Sequence, residues 1–311
     1  MALDFNVIKV LLWAKNLGVS FDRTATLGRQ GFDCAPRRFR RAARDFGIRA
    51  TAEEIERCFQ RAPFGPLYAD QFLRLLGARE IVSVDLSDFE GATMLHDLNE
   101  PFPETECGRF NVVLDGGTLE HIFDYPAALR HCLELVGEGG HFITIAPAHN
   151  HMGHGFYQLS PELFFRVLNE QNGFALRKIV LYDSSKTDAD FFQVDDPAKT
   201  GKRTELISDR PMLLAVIAQR IAVKPILARL PQQSDYAAAW VRRKAAAQLS
   251  PIAGGFLEGV RRRINPYLPY GLIHLKRKLI FSWKRGSPSL RNREHFRRLS
   301  RDEIINGRAD S

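Results

Sequence analysis

Between Glu80 and Pro147 four short apolar runs alternate with polar or helical stretches, and three of them end on an acidic residue or beside one. The runs are EIVSVDL (80–86), TMLHDL (93–98), RFNVVLD (109–115) and HFITIA (141–146), with a helical stretch from Pro126 to Val136 between the last two. Strands that are apolar on both faces and spaced for βαβ units cannot leave either face to water. They belong in a parallel sheet covered by helices on both sides. FDRTATL (21–27), ending at Gly28, supplies an earlier strand, and Phe174–Tyr182 and Pro211–Ile221 supply two late ones. Helices are predicted over the first 20 residues, over 36–46, over 52–61 behind a Thr51/Glu54 capping pair, over 68–76 and over 161–171. Gly137-Glu-Gly-Gly140 reads as the turn before the fourth run. The expected fold is a doubly wound, mostly parallel seven-stranded α/β sheet in residues 1–221, with a helical insertion at about 33–66.

In such a sheet ligands lie at the carboxyl ends of the strands, near the switch in strand order. Gly28, Asp85, Asp97 and Asp115-Gly116 stand at those ends. A carboxylate at the end of the second strand can accept hydrogen bonds from both ribose hydroxyls of a nucleoside, and one after the third can take an adenine amine. Strand ends favour Asp and Gly for turn-making reasons as well, so the order of these residues counts for more than any one of them.

From about Thr24 to Ile221 the chain resembles class I S-adenosylmethionine-dependent methyltransferases. The resemblance is carried by IVSVDLSDFEGA (81–92), HDLNEPFP (96–103), FNVVLDGGTLEHIFD (110–124) and GEGGHFITIAP (137–147). It implies S-adenosylmethionine as cofactor, held by Gly28, Arg29, Gln30, Asp85, Leu86, Asp97, Leu98, Asp115 and Gly116, and it implies the reversed hairpin of two late strands. The sequence departs from the family at one place. The usual G-x-G-x-G loop after the first strand is replaced by LGRQGF (27–32), so Arg29 and Gln30 are expected to bind the methionine part by side chain. The absence of G-x-G-x-x-G and the DGGTLEH segment argue against a nicotinamide-dependent oxidoreductase.

APAHNHMGHGFYQLSP (146–161) carries His149, His151 and His154. No carboxylate accompanies these histidines at fixed spacing, so no metal site is read from them. Together with Tyr157 and Gln158 they are expected to line the acceptor pocket. His121, in the Leu-Glu-His segment, and His154 are the candidate general bases for an acceptor that loses a proton; a structural role is the alternative for His121.

Residues 222–311 hold 19 Lys/Arg against 6 Asp/Glu, +13, which leaves −5 for the first 221 residues of a chain whose net charge is +8. A basic, mainly helical extension is expected there. Leu272, Leu275, Leu279 and Trp283 can share one helical face beside Arg277 and Lys278, as in an interfacial helix on an anionic membrane, or the stripe can pack on the protein. No nucleic-acid-reading motif accompanies the charge. Four scattered cysteines, with no C-x-x-C pair, fit a reducing, cytoplasmic setting. The predicted activity is methyl transfer to a small-molecule, glycan or lipid-linked acceptor. The alternative is a non-catalytic module of the same fold, tethered by its tail.

Overall fold

A computed structural model describes residues 2–60, 66–249 and 288–306. The strands and helices, in chain order, are β1 (Ala2–Leu3), α1 (Phe5–Asn16), β2 (Arg23–Leu27), β3 (Gly31–Phe32), α2 (Pro36–Asp45), α3 (Ala52–Arg57), α4 (Asp70–Leu75), β4 (Glu80–Asp85), β5 (Met94–Leu95), β6 (Phe110–Asp115), α5 (Tyr125–Glu134), β7 (Val136–His149), α6 (Pro161–Val167), β8 (Phe174–Asp183), β9 (Phe192–Val194), α7 (Pro197–Thr200), β10 (Met212–Arg220), α8 (Ser234–Leu249), β11 (Phe296–Arg298) and α9 (Arg301–Ile305). The described residues fall into two compact units. The larger takes residues up to Val194, Ser208–Pro231 and 298–306; the other takes Asp195–Ile207 and the described part of 232–297.

In the larger unit the sheet order is β9-β8-β10-β7-β6-β2-β4-β5. β2, β4, β5, β6 and β7 pair in parallel with one another, whereas β10 runs antiparallel to both β7 and β8. This is the mostly parallel sheet, closed by a reversed late strand, that the sequence predicts, with the short edge strand β9 added to the seven strands expected. Strand order reverses between β2 and β6, which puts the switch point at Leu27-Gly28 and Asp115-Gly116.

The strands of the centre are buried on both faces: Ala25, Leu27, Val84, Val112, Leu114, Ile143, Ile145 and Ala215. α1 is apolar nearly all round, with Ile8, Val10, Leu11, Leu12 and Trp13 buried, as befits a helix enclosed in a core. Asp4 caps it by accepting from Val7 N at 2.8 Å. The inserted helices are held by aromatic edges, with Phe39 perpendicular to Phe32 and Phe72 at centroid distances of 5.4 and 5.5 Å.

Three local expectations are corrected. The first residues do not all join the helix, because Ala2–Leu3 pairs in parallel with Gly31–Phe32. Residues 137–140 do not form a separate turn. They are part of β7, which begins by pairing Val136 with Phe110 and stays paired with β10 as far as His149. Of 93–98 only Met94–Leu95 pairs as a strand.

The smaller unit contains α7 and α8 and ion pairs between Lys202 and Glu294 and between Arg203 and Asp235. The interfacial-helix expectation, with Leu272, Leu275, Leu279 and Trp283, lies outside the described residues.

Candidate active site

Two neighbouring groups of side chains gather at the carboxyl ends of the parallel strands. The first surrounds the switch point. Gly28 follows β2 and donates its N–H to Val84 O at 2.7 Å, tying the ends of β2 and β4 together. A β-carbon built on Gly28 would lie 3.7 Å from Asp85 Oδ2 and 3.5 Å from Thr118 Oγ1, so the Asp85 carboxylate faces the chain just after β2. Asp85 accepts from Ser87 N at 3.3 Å. Leu86, next along, is 73% exposed.

Gln30 is buried and reaches back over this junction. Its Nε2 donates to Leu27 O at 2.6 Å and to Gly28 O at 3.3 Å. Its Oε1 has no hydrogen-bond partner among the described residues. That oxygen would stand 2.0 Å from a β-carbon at position 116, so residue 116 must be glycine for Gln30 to lie where it does. Arg29 turns the other way. Its guanidinium stacks on the Tyr68 ring at 3.9 Å, lies 3.5 Å from Asp70 and donates to Glu90 O at 3.2 Å. Asp97 accepts from Asn99 N and Nδ2 at 2.9 and 2.8 Å, and the backbone donor holds its carboxyl below the usual range. Leu98 is buried, and its carbonyl meets His131 Nδ1 at 3.1 Å.

Asp115, at the end of β6, is spent on the fold. Its Oδ1 accepts from Gly117, Thr118 and Leu119 N–H groups at 3.2, 2.8 and 3.3 Å, and its Oδ2 accepts from Thr144 Oγ1 at 2.7 Å. Burial raises its pKa and these hydrogen bonds oppose the rise. The carboxylate thus anchors the strand to the 3-10 turn Leu119–His121.

That turn presents the second group. Glu120 is fully buried, yet neither carboxylate oxygen accepts a hydrogen bond from the described residues. The nearest nitrogens are His154 Nε2 at 3.3 Å and His121 Nε2 at 4.0 Å from Oε1; the closer approach lacks hydrogen-bond geometry. Burial, and then the charge of Asp115, push the Glu120 carboxyl up to about 8. Burial and the neighbouring His154 lower the His121 pKa. The burial of Glu120 comes from the loop after β7. Gly155, at φ +74°, lies so close that a β-carbon would fall 2.7 Å from Glu120 O, and Phe156 N donates to the same carbonyl at 2.8 Å.

The three loop histidines take different partners. His154 joins Glu120 and His121, its ring centroid 5.2 Å from that of His121 and 5.8 Å from that of His151. His149 Nε2 meets Ser208 O at 3.0 Å. His151 Nε2 lies 3.5 Å from Ser184 Oγ, and the His151 N–H donates to Gln158 Oε1 at 2.8 Å. Tyr157 donates to Phe123 O at 2.6 Å. Phe123 and Phe156, two residues beyond His121 and His154, are 75% and 65% exposed and meet edge to face at 5.6 Å. Glu120 is the residue that sequence reasoning passed over. Its signal was the adjacent Glu-His pair, read only for the histidine.

No protein-family model and no curated protein matches this chain. Solved structures do. An S-adenosylmethionine-dependent methyltransferase from Mesorhizobium loti is 14% identical over 68% of this chain and 96% of its own, with a TM-score of 0.36. The 1,6-didemethyltoxoflavin-N1-methyltransferase of Burkholderia thailandensis, solved with its substrate and S-adenosylhomocysteine, is 14% identical over 70% and 78%, with a TM-score of 0.36. The methyltransferase CalH, solved with S-adenosylhomocysteine, is 12% identical over 68% and 55%, with a TM-score of 0.35. The strand order of this chain, with β10 reversed between β7 and β8, is itself that of a class I methyltransferase fold.

Proposed function

We propose that this protein transfers a methyl group from S-adenosylmethionine to an oxygen or nitrogen of a small-molecule, glycan or lipid-linked acceptor. The observation that carries the reading is the Asp85 carboxylate, which faces Gly28 at the end of β4 with Leu86 exposed beside it. The residues present suit the cofactor. Asp85 offers two acceptor oxygens to ribose hydroxyls, Leu86 offers an apolar surface to the adenine, and Asp97 offers an acceptor to its amine. The orphaned Gln30 Oε1 offers an acceptor to the ammonium of the methionine part, while Gly28 leaves room for close approach and Gly116 makes room for Gln30. Arg29 supports the pocket wall through Tyr68 and Asp70 rather than by direct contact. Asp115 supports it by fixing the turn after β6.

The bound cofactor supplies an activated methyl group, so the protein's tasks are alignment, exclusion of water and handling of the acceptor's proton. The loop from His149 to Gln158 covers the acceptor side. His121 and His154 stand beside one another there, and an imidazole of either can take the acceptor's proton. Calorimetry with S-adenosylmethionine against NAD tests the reading. S-Adenosylmethionine is expected to bind and NAD is not, and Asp85→Ala is expected to weaken binding by a few kcal/mol, the loss of a charge-assisted pair of hydrogen bonds. Unchanged affinity in the folded variant removes the assignment.

A second reading, a non-catalytic module of the same fold, is favoured by one observation: Gln30 lies where the family has a glycine-rich loop. Transfer of a labelled methyl group to any acceptor in a metabolite extract decides against it. The charge of residues 222–311 supports contact with an anionic surface. Among the described residues no helix is long and apolar enough to cross a membrane. Sedimentation with phosphatidylserine vesicles at low salt, with and without residues 254–311, tests that contact.

A further inference from the structure

The loop histidines lack a carboxylate in their own segment, but the fold brings one from the turn after β6. Glu120, His121 and His154 each offer one ligand atom, and the three atoms lie within 4.8 Å of one another. We infer that these residues form a binding site for one divalent transition-metal ion of the zinc type, with an open position toward the acceptor side.

Three observations carry this. The first is the donor set. Two imidazoles and one carboxylate are one of the established three-ligand sets of zinc sites that keep a fourth position open, and the same set suits other first-row divalent metals. The second is spacing. With metal–ligand distances of about 2.0–2.2 Å, ligand atoms in a tetrahedral arrangement stand a little over ~3 Å apart. Glu120 Oε1 and His154 Nε2 are already 3.3 Å apart, and His121 Nε2, at 4.0 Å, needs only a small rotation of an exposed side chain. The third is the state of Glu120. A fully buried carboxylate that receives no hydrogen bond from the described residues is costly unless a cation or donor faces it.

The fourth position is set by what is open. The side chains of His121 and His154 are 49% and 39% exposed, while Glu120 closes the inner side. Two residues beyond each histidine stand Phe123 and Phe156, whose exposed rings meet edge to face. The ligand class that fits is a molecule with an apolar body and an oxygen donor. On the methyl-transfer reading, which this part alone rests on, that oxygen belongs to the acceptor. The ion would then lower its proton affinity by Lewis acidity, so that the proton passes to solvent water at the open position, the imidazoles being engaged as ligands.

The untagged full-length chain, stripped with chelator and dialysed, is titrated with Zn²⁺ by calorimetry, and Co²⁺ is then added as a visible probe. The expected result is one ion per chain and a tetrahedral Co²⁺ absorption spectrum that Zn²⁺ abolishes. Glu120→Gln keeps the side-chain shape and is expected to weaken Zn²⁺ by more than ~100-fold, since loss of an outer-shell partner alone weakens metal by about 10–100-fold. His154→Ala and His121→Ala are expected to do the same, and His149→Ala, whose ring is bonded to Ser208 O, is expected to change nothing. Binding below one equivalent, or binding retained in a folded Glu120→Gln, His154→Ala double variant, overturns the site. S-Adenosylmethionine affinity is measured on the same samples. Cofactor binding without Zn²⁺ binding removes the metal site alone. Stoichiometric Zn²⁺ binding without cofactor binding supports the metal site and removes the reading of its acceptor.

Discussion

Asp115 and Glu120 sit at opposite ends of one short turn, both out of reach of water, and the chain treats them differently. Asp115 accepts from three backbone N–H groups and the Thr144 hydroxyl; Glu120 accepts from none of the described residues. Burial drives both pKa values upward; at Asp115 three backbone N–H groups and the Thr144 hydroxyl counter it, whereas at Glu120 burial and the charge of Asp115 outweigh the opposing pull of its own backbone N–H. A buried carboxylate surrounded by donors from its own turn is a fastening. One that is equally buried and left without donors is held in a state that the fold alone does not satisfy, which is the mark of a group kept for something else.

The contrast can be broken most directly at Asp115. Asp115→Ala strands three N–H groups and a hydroxyl in the interior, and is expected to destabilise the protein by about 3–5 kcal/mol, read from urea unfolding. A loss below ~1 kcal/mol would mean that the turn does not depend on it. Glu120→Gln is expected to act in the opposite direction. The folded carboxyl titrates near 8, above its ordinary 4.5, so in the metal-free protein the stability it contributes is complete below pH 4.5 and is lost as pH rises through 8. The wild-type melting temperature should therefore fall between about pH 5 and pH 9, and Glu120→Gln should flatten that fall by a few kcal/mol. A wild-type melting temperature that holds level over this range would equate the two carboxylates.

Smaller effects sharpen the picture. Gly116→Ala is expected to cost about 1–3 kcal/mol through its clash with Gln30, and Gln30→Ala in the same chain should recover part of it, measurable as a double-mutant coupling. Thr144→Val removes one of the four donors to Asp115 and is expected to cost about 1–2 kcal/mol in the same assay.

The sheet was legible because its signal is local. Apolar runs of strand length, alternating with helix-length segments from Glu80 to Pro147, set the type of sheet, and the late pair Phe174–Asp183 and Met212–Arg220 came out within a residue or two of expectation. Misreadings arose where pairing overrode composition. Glycines at 137–140 look like a turn but form the irregular start of β7, between its pairings of Val136 with Phe110 and of His141 with Val112, and Ala2–Leu3 looks helical until β3 supplies a partner edge. The cluster around Glu120 was half legible. His121 and His154 stood out by residue type, but the carboxylate between them became visible only when Gly155 folded its loop onto the Glu120 carbonyl. His149, equally prominent in the sequence, is drawn off by Ser208, far along the chain, and His151 meets Ser184 while its ring stays 5.8 Å from that of His154. Arg29 had the right charge for an anion, but a neighbouring ring and carboxylate hold it. No spacing rule conveys such competition.

The wedge of Gln30 over Gly116 has a consequence for how this crevice can vary among descendants of the chain. A floor made of backbone changes only when the chain is re-routed; a floor made of one amide changes with one codon. The two positions are bound to each other in that process. While residue 116 has no side chain, position 30 can carry a long amide, and a β-carbon at 116 forces a shorter residue at 30. Sequences that share this fold should therefore show the pair drifting together, and the depth of the pocket should follow their combined bulk.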